Sequence, residues 1–219
     1  VDAFPVALFE VRDGIPREVY VTLRDGEHHE VLDDPSTLEL IQALAGLDRD
    51  LPEGYRGEVN VGMAAWMGEV SRALTRGFVI TIDYGHAGPK PFPLSRREGT
   101  LRTHRGHIAG GNPLRHAGAQ DITAHVDFSS LDRLGAESGL AGLGIVSQAD
   151  LLGALGIKRW LRDLRGMALP QADRDANMMA MRDIVRPGGL GDFGILVQEK
   201  DTGVSSLEQL MPPPDAQQP

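Results

Sequence analysis

A chain of 219 residues, 41% hydrophobic and 24% charged, is long enough to bury one sizeable core and has the composition of an ordinary globular fold. It contains no cysteine, which excludes disulfides, thiolate metal sites and cysteine nucleophiles. A formal net charge of −9, from 31 acidic and 22 basic residues, argues against non-specific nucleic-acid binding, which needs a positive field around the phosphates.

No apolar run approaches ~18 residues, so no membrane insertion is expected. The chain opens "VDAFPVALFEV" and alternates almost at once through Val6, Leu8 and Val11, as a fragment beginning inside a fold would. "PVALFEV" and "REVYVTL" are β-rich and flank Asp13-Gly14 and Pro16, which predicts a hairpin. "DDPSTLELIQALAGL" predicts a helix capped by Ser36, with Leu38, Ile41 and Leu44 (or Ala45) on one face and Gly46 at its end. After the polar "DRDLPEGYRGE", Asn60 is a candidate N-cap, and Met63, Trp66, Met67, Val70 and Leu74 form an amphipathic stripe ended by Gly77. Phe78–Ile82 is apolar on both alternating faces, as in a central strand covered by helices on both sides of a parallel sheet. From Ala87 to Gln120 periodicity vanishes and glycine and proline dominate, which predicts a long functional or disordered loop.

"DITAHVDF" then leads into a short helix over "SSLDRLGAESG". "LGIVSQADLLGALGI" reads as strand then helix, with Ser147 and Asp150 at capping-box spacing. Helical segments follow around Trp160–Leu164 and Asp175–Val185, then a last strand "FGILVQEK" and a mostly disordered tail over residues 201–219. Gly189 to Gly194 match G-x-G-x-x-G, but the run feeds a strand instead of opening a helix and so reads as a turn, not a dinucleotide cradle. His104 and His107 form H-x-x-H in a glycine-rich loop without helical i, i+4 spacing or a nearby catalytic glutamate, so no metal site is expected.

Phe78–Ile82 runs straight into Asp83-Tyr84-Gly85-His86. Ligands of open α/β sheets bind beyond the carboxyl ends of strands, which makes Asp83 a candidate site residue facing a cleft. Asp127 either caps the helix that starts at Phe128 or serves a site. Asp121 and Thr123 have no such easy structural job.

Taken in order, "VDAFPV", "IDYGH", "GTLRTHRGH", "DITAHVDF", "SQADLLGALGI" and "FGILVQEK" resemble the MidA-type S-adenosylmethionine-dependent methyltransferases, which include the mitochondrial complex I assembly arginine methyltransferase. The resemblance runs from Val1 to about Lys200. The family's glycine-rich cofactor loop, a run like ELGPGRG, lies upstream of the position matching Val1. The resemblance therefore implies an α/β fold: the C-terminal part of a Rossmann-like class I methyltransferase sheet, with a family-specific hairpin and helical insertions, over residues 1–200.

It also implies methyl transfer from S-adenosyl-L-methionine to a protein side chain, an arginine guanidinium, on a complex I subunit. The nitrogen must meet the methyl in line and shed a proton, so orientation and nearby carboxylates are the protein's main contributions. Asp83, Asp121 and Asp127 are the implied catalytic carboxylates. Tyr84, His86, Thr100, Arg102, His107 and Thr123 would shape the substrate site, and Asp2 and Phe4 would lie nearest the cofactor. Localisation would be cytoplasmic in a bacterium and the mitochondrial matrix in a eukaryote. The chain alone is expected to be inactive, and the rival reading is a non-catalytic assembly or binding module for a respiratory-complex subunit.

Overall fold

The computed structural model describes residues 1–45, 51–88, 92–106 and 108–211. The elements in chain order begin with β1 (Ala7–Arg12), β2 (Ile15–Arg24), β3 (Glu27–Asp33), α1 (Leu38–Ala45), β4 (Arg56–Val59) and α2 (Met63–Ala73). They continue with β5 (Gly77–Asp83), β6 (Gly85–His86), β7 (Arg102–Arg105), β8 (Ile108–Gly110), β9 (Asp121–Thr123) and β10 (Val126–Asp127). The last are α3 (Phe128–Glu137), β11 (Ala141–Ser147), α4 (Gln148–Ala154), α5 (Ile157–Gly166), α6 (Gln171–Asp183) and β12 (Gly194–Lys200). The fold is α/β, and the chain divides into two units: Val1–Trp66 with Gly88–Val126, and Met67–Ala87 with the chain from Asp127 onward.

In the first unit, β3-β2-β1-β4 form an antiparallel sheet. Asp13 and Gly14 both take positive φ (52° and 71°), the two-residue turn that matches the strands' right-handed twist, so the predicted hairpin forms. Asp25-Gly26 repeats the device (51° and 81°) and adds β3, which the sequence reading missed because "EHHEVLD" is polar on both faces. The segment read as a polar connection likewise contains β4, a four-residue strand with little apolar content.

One sheet face makes the core. Phe9, Val11, Leu40, Leu44 and Tyr55 are buried together, with Phe92 edge-on to Phe9 at 5.1 Å. Gly57 lies opposite Phe9 in the register, and a Cβ there would come within 2.6 Å of the Phe9 ring, so the close approach requires glycine. Tyr55 donates to the Pro93 carbonyl (3.1 Å); burial, then the Glu58 charge, pushes its phenol up from its ordinary value. The predicted face of α1 is corrected in part: Leu44 is buried as expected, but its partner at i, i+4 in the core is Leu40, whereas Leu38 and Ile41 are exposed. The cap is Thr37, whose hydroxyl accepts from the Leu40 N–H (3.2 Å), because Ser36 is taken up by Glu18. The expected helix end at Gly46 lies outside the described residues.

The long loop expected over Ala87–Gln120 is also corrected. Strands β7, β8 and β9 form a small antiparallel sheet in the order β8-β7-β9. Its strands are only three or four residues long and carry Thr, His, Arg and Asp, so no apolar alternation announces them.

In the second unit the order is β11-β12-β5, and both pairings are antiparallel. This corrects the reading of Phe78–Ile82 as a doubly covered central strand of a parallel sheet. Among the described residues β5 is an outer strand, with Phe78, Ile80 and Ile82 40, 59 and 52% exposed while Thr81 and Asp83 are buried. An apolar run records that a strand avoids water; it does not record which side its neighbours lie on.

Strand β12 is the most buried, and its two faces differ. Ile195 and Val197 pack with Leu207, Val146 and Leu151. On the other face Gln198 is fully buried and donates to the carbonyl and carboxylate of Asp132 (3.3 Å each), while Lys200 donates to the Ser71 carbonyl (2.6 Å). Gly135 on α3 leaves the space that the Gln198 amide fills. The expected disordered tail is corrected in its first part: Leu207 lies in a short 3-10 turn and enters the core, whereas residues 212–219 lie outside the described residues. The Gly189–Gly194 run is a 3-10 turn into β12, where a Cβ on Gly191 would lie 2.6 Å from the Val185 backbone.

Candidate active site

The candidate residues fall in both units. In the first, Asp2 is tied down through its carbonyl, which accepts from the Ala124 N–H (2.9 Å) one residue past β9. Phe4 packs edge-on against Trp66 with centroids 5.5 Å apart. Phe4, with Ala3 next to Asp2, lines a cavity of about 470 Å³ over the sheet face opposite the core. Leu8, Val19, Val21, His28 and Glu30 form the sheet wall, and Phe4, Leu101, Leu114, Ile122 and Thr123 close the other side. The lining is mostly apolar, and its few polar groups are the kind that fix a ligand's orientation. Thr123 is 9% exposed, and its hydroxyl oxygen is buried without a hydrogen-bond partner.

Glu30, the acid among the lining residues, is already partly neutralised. Arg56 donates to Glu30 (2.9 Å) and lies 3.8 Å from Glu10. That hydrogen bond to Glu30 raises the guanidinium above its ordinary value; burial opposes the shift, and the Glu30, Glu10 and Glu58 charges add to it.

Thr100 and Arg102 flank the lining residue Leu101, just before and at the start of β7. The Thr100 and Leu101 N–H groups donate to Glu58 (2.6 and 2.9 Å), and the Thr100 hydroxyl accepts from the His125 N–H (2.9 Å). Thr100 thus joins β4 to the segment after β9. Gly99 makes the turn possible, with φ of 71° and no room for a Cβ beside the Glu58 carboxylate. Glu58 was not singled out from sequence, since a lone Glu in a short polar strand gives no signal. Glu58→Ala should lower stability by about 1–3 kcal/mol in urea unfolding, because two backbone N–H groups lose their acceptor, whereas Glu58→Gln should cost less.

Arg102 is exposed and donates to the Leu101 carbonyl (2.7 Å), opposite Thr123 in the β7–β9 register. Asp121, also exposed, lies opposite His104. The first unit therefore gathers Asp2, Phe4, Thr100, Arg102, Asp121 and Thr123. His107 lies outside the described residues.

The second unit holds the others. Asp83 ends β5 opposite Gly194, is 7% exposed, and accepts from the Tyr84 N–H (2.8 Å). The Tyr84 ring meets Phe193 edge-on at 5.8 Å, and His86 follows in β6, half-buried. Asp127 caps α3: its carboxylate accepts from the N–H groups of Ser129 and Ser130 (3.1 and 3.2 Å) and from the Ser130 hydroxyl (2.6 Å). Among the described residues no group of three or more His, Asp or Glu side chains could hold a metal ion.

Residues 1–146 match the family described as "Putative S-adenosyl-L-methionine-dependent methyltransferase". A crystal structure of a Burkholderia thailandensis protein bound to S-adenosyl-homocysteine is similar, with 30% identity and a TM-score of 0.80, over 94% of this chain and 52% of that one. A second crystal structure of a protein from the same organism and superfamily, also 30% identical, gives 0.79 over 91% of this chain and 53% of the other. No curated protein matches the chain. The chain spans about half the length of these solved structures, at 52 and 53%.

The family's cofactor is S-adenosyl-L-methionine. Among the described residues no glycine-rich loop joins a strand to a helix N-terminus, and the one G-x-G-x-x-G run is closed by backbone packing at Gly191. These residues do not by themselves make a cofactor site. The α/β fold, the ordered motifs and the matched residues agree on one conclusion: the chain belongs to this family of S-adenosyl-L-methionine-dependent methyltransferases.

Proposed function

We propose that the protein methylates a side chain of another protein, an arginine guanidinium, on a subunit of respiratory complex I or its bacterial counterpart. It would act in the bacterial cytoplasm or the mitochondrial matrix. The observation that carries the reading is Asp83, a carboxylate 7% exposed at the carboxyl end of β5, in a chain of a methyltransferase family. A desolvated carboxylate is a strong acceptor for the forked N–H groups of a guanidinium, which it orients and whose released proton it can take. Asp121 is the second carboxylate of the reading, and Asp127 supports the site through α3. Tyr84, His86, Thr100, Arg102, His107 and Thr123 shape the acceptor site, with Asp2 and Phe4 towards the cofactor.

Arg102 separates function from folding, because it is exposed and its side chain donates to the carbonyl of its own neighbour, Leu101. In the full-length gene product, Arg102→Ala should lower methylation of the acceptor protein by about tenfold or more while moving the melting temperature little. Equal loss of both would make Arg102 structural and remove it from the site. The alternative reading is an assembly module without catalysis. Isothermal titration of S-adenosyl-L-methionine into the full-length gene product distinguishes the two, since only the enzyme binds it.

A further inference from the structure

The cavity in the first unit has a built wall and an unmet demand for an occupant. At about 470 Å³ it falls within the roughly 300–1,000 Å³ typical of ligand sites. Two of its apolar lining residues stay in contact with water, Val21 at 54% exposure and Ile122 at 45%. An occupant that covers them buries apolar surface the fold itself leaves open.

Three features narrow what that occupant is. The first is charge. Glu30, the acid of the lining, is already held by Arg56 at 2.9 Å, and among the described residues no lysine or arginine lines the cavity. A guanidinium would find no unmet carboxylate there and an anion no strong cation, so the buried part of the occupant is apolar. The second is Thr123, a lining residue 9% exposed whose hydroxyl oxygen has no hydrogen-bond partner among the described residues. A buried hydroxyl left in that state costs free energy, and an occupant that brings a polar atom to it removes the cost. The third is main chain. Ile122 and Thr123 are successive residues of β9 and project to opposite faces, so a cavity lined by both meets the strand along its edge. Strand β9 pairs with β7 on one side only, and the Ala124 N–H just beyond it is held by the Asp2 carbonyl. A strand edge beside an apolar hollow is how extended peptide segments are recognised: polar groups hold the chain and the hollow reads a side chain.

We propose that this cavity reads a bulky apolar side chain, leucine or phenylalanine, close in sequence to the methylated residue of the acceptor protein, while the Thr123 hydroxyl bonds the acceptor's main chain. Resting on the protein-methylation reading above, it supplies what that reading lacks, a determinant of which arginine is chosen. The labour divides by chemistry: the guanidinium needs carboxylates, and its neighbour needs a hollow that has none to spare. Phe4, which that reading turns towards the cofactor, also lines the cavity, so the apolar neighbour would lie beside the site of transfer.

The test is fluorescence polarisation with the full-length gene product and S-adenosyl-homocysteine. The probes are short labelled peptides with a central arginine in glycine and serine, and the same peptide with one leucine or phenylalanine at each position in turn. At least one apolar position should tighten binding by about tenfold or more over the glycine–serine parent. Thr123→Val keeps the shape and removes the unpartnered hydroxyl. It should leave the melting temperature unchanged or higher while weakening the preferred peptide about fivefold, a split that a packing role alone would not produce. Val21→Lys, at a half-exposed position, should weaken it about tenfold or more by placing a charge in the hollow. No preference for an apolar neighbour, or a preference untouched in both folded variants, overturns the proposal. So does decanoic acid binding more tightly than any peptide, which would assign the cavity to a free amphiphile. With S-adenosyl-L-methionine in place of the product, the two readings fail separately. Peptides bound through their apolar neighbour but left unmethylated uphold the pocket and sink the arginine acceptor. Methylation of arginine whatever its neighbours upholds the acceptor and sinks the pocket.

Discussion

Asp83→Asn in the full-length gene product should reduce methylation by about 100-fold or more while shifting the melting temperature by only a few degrees. The substitution keeps the side chain's shape and one acceptor oxygen, so the 2.8 Å bond from the Tyr84 N–H survives. What it removes is the negative charge at a position 7% exposed, where water screens poorly and a carboxylate's hold on a cation is strongest. The acceptor would then be held by a neutral amide that offers no strong site for the released proton. Rates measured with labelled cofactor, beside a thermal melt of the same preparation, decide the matter. A variant that methylates within a few-fold of the parent would return Asp83 to the role of a strand-terminating turn residue. The contrast with Asp127 is instructive. Its three capping bonds predict that Asp127→Ala mainly loosens α3, and that serine, which can still cap, restores most of what alanine loses.

What could be read in the sequence was whatever a local device imposes. Asp13-Gly14 forces its turn, Ser147 caps α4 by accepting from the Asp150 N–H (3.0 Å) while its hydroxyl donates to the Asp150 carboxylate (2.6 Å), and the three successive apolar residues of β12, Ile195, Leu196 and Val197, have one possible fate. The ordered family motifs added what no single residue could, the fold class and the cofactor. The readings that failed were those decided by partners distant in sequence. Leu40 takes the core place beside Leu44 that was expected of Leu38 and Ile41, because Phe9 and Tyr55 lie on that side of α1. Ser36 looks like a cap until Glu18, eighteen residues earlier, claims it. The three-residue strand β9 exists because β7 lies beside it, and Thr123 acquires a place on a cavity wall by that pairing alone. Asp25-Gly26 carries the same signal as Asp13-Gly14, the dipeptide that predicts a turn twelve residues before it.

The second large effect concerns the chain by itself. Residues 1 to 219 should bind S-adenosyl-L-methionine at least about 100-fold more weakly than a protein supplying the rest of the fold seen in the matched structures, of which this chain spans 52 and 53%. Asp2 and Phe4 could touch only one flank of the ligand. The full cost of immobilising the cofactor would then be set against a fraction of its contacts. The same preparation should also associate with itself. Strand β5 has β12 on one side and no described neighbour on the other, and Phe78, Ile80 and Ile82 leave three large apolar side chains on one exposed face. A free edge beside an apolar face is a template for non-native pairing, opposed here only by the molecule's net charge of −9. Salt should therefore promote the association by screening that repulsion. Supplying the remaining part of the fold should restore cofactor binding and a monodisperse profile together, since it brings both the missing cofactor contacts and a partner for the β5 edge. Titration calorimetry paired with size-exclusion chromatography measures the two on one sample. Micromolar binding by a monodisperse preparation of residues 1 to 219 would mean that the cofactor site lies among the residues described above and that β5 needs no further partner.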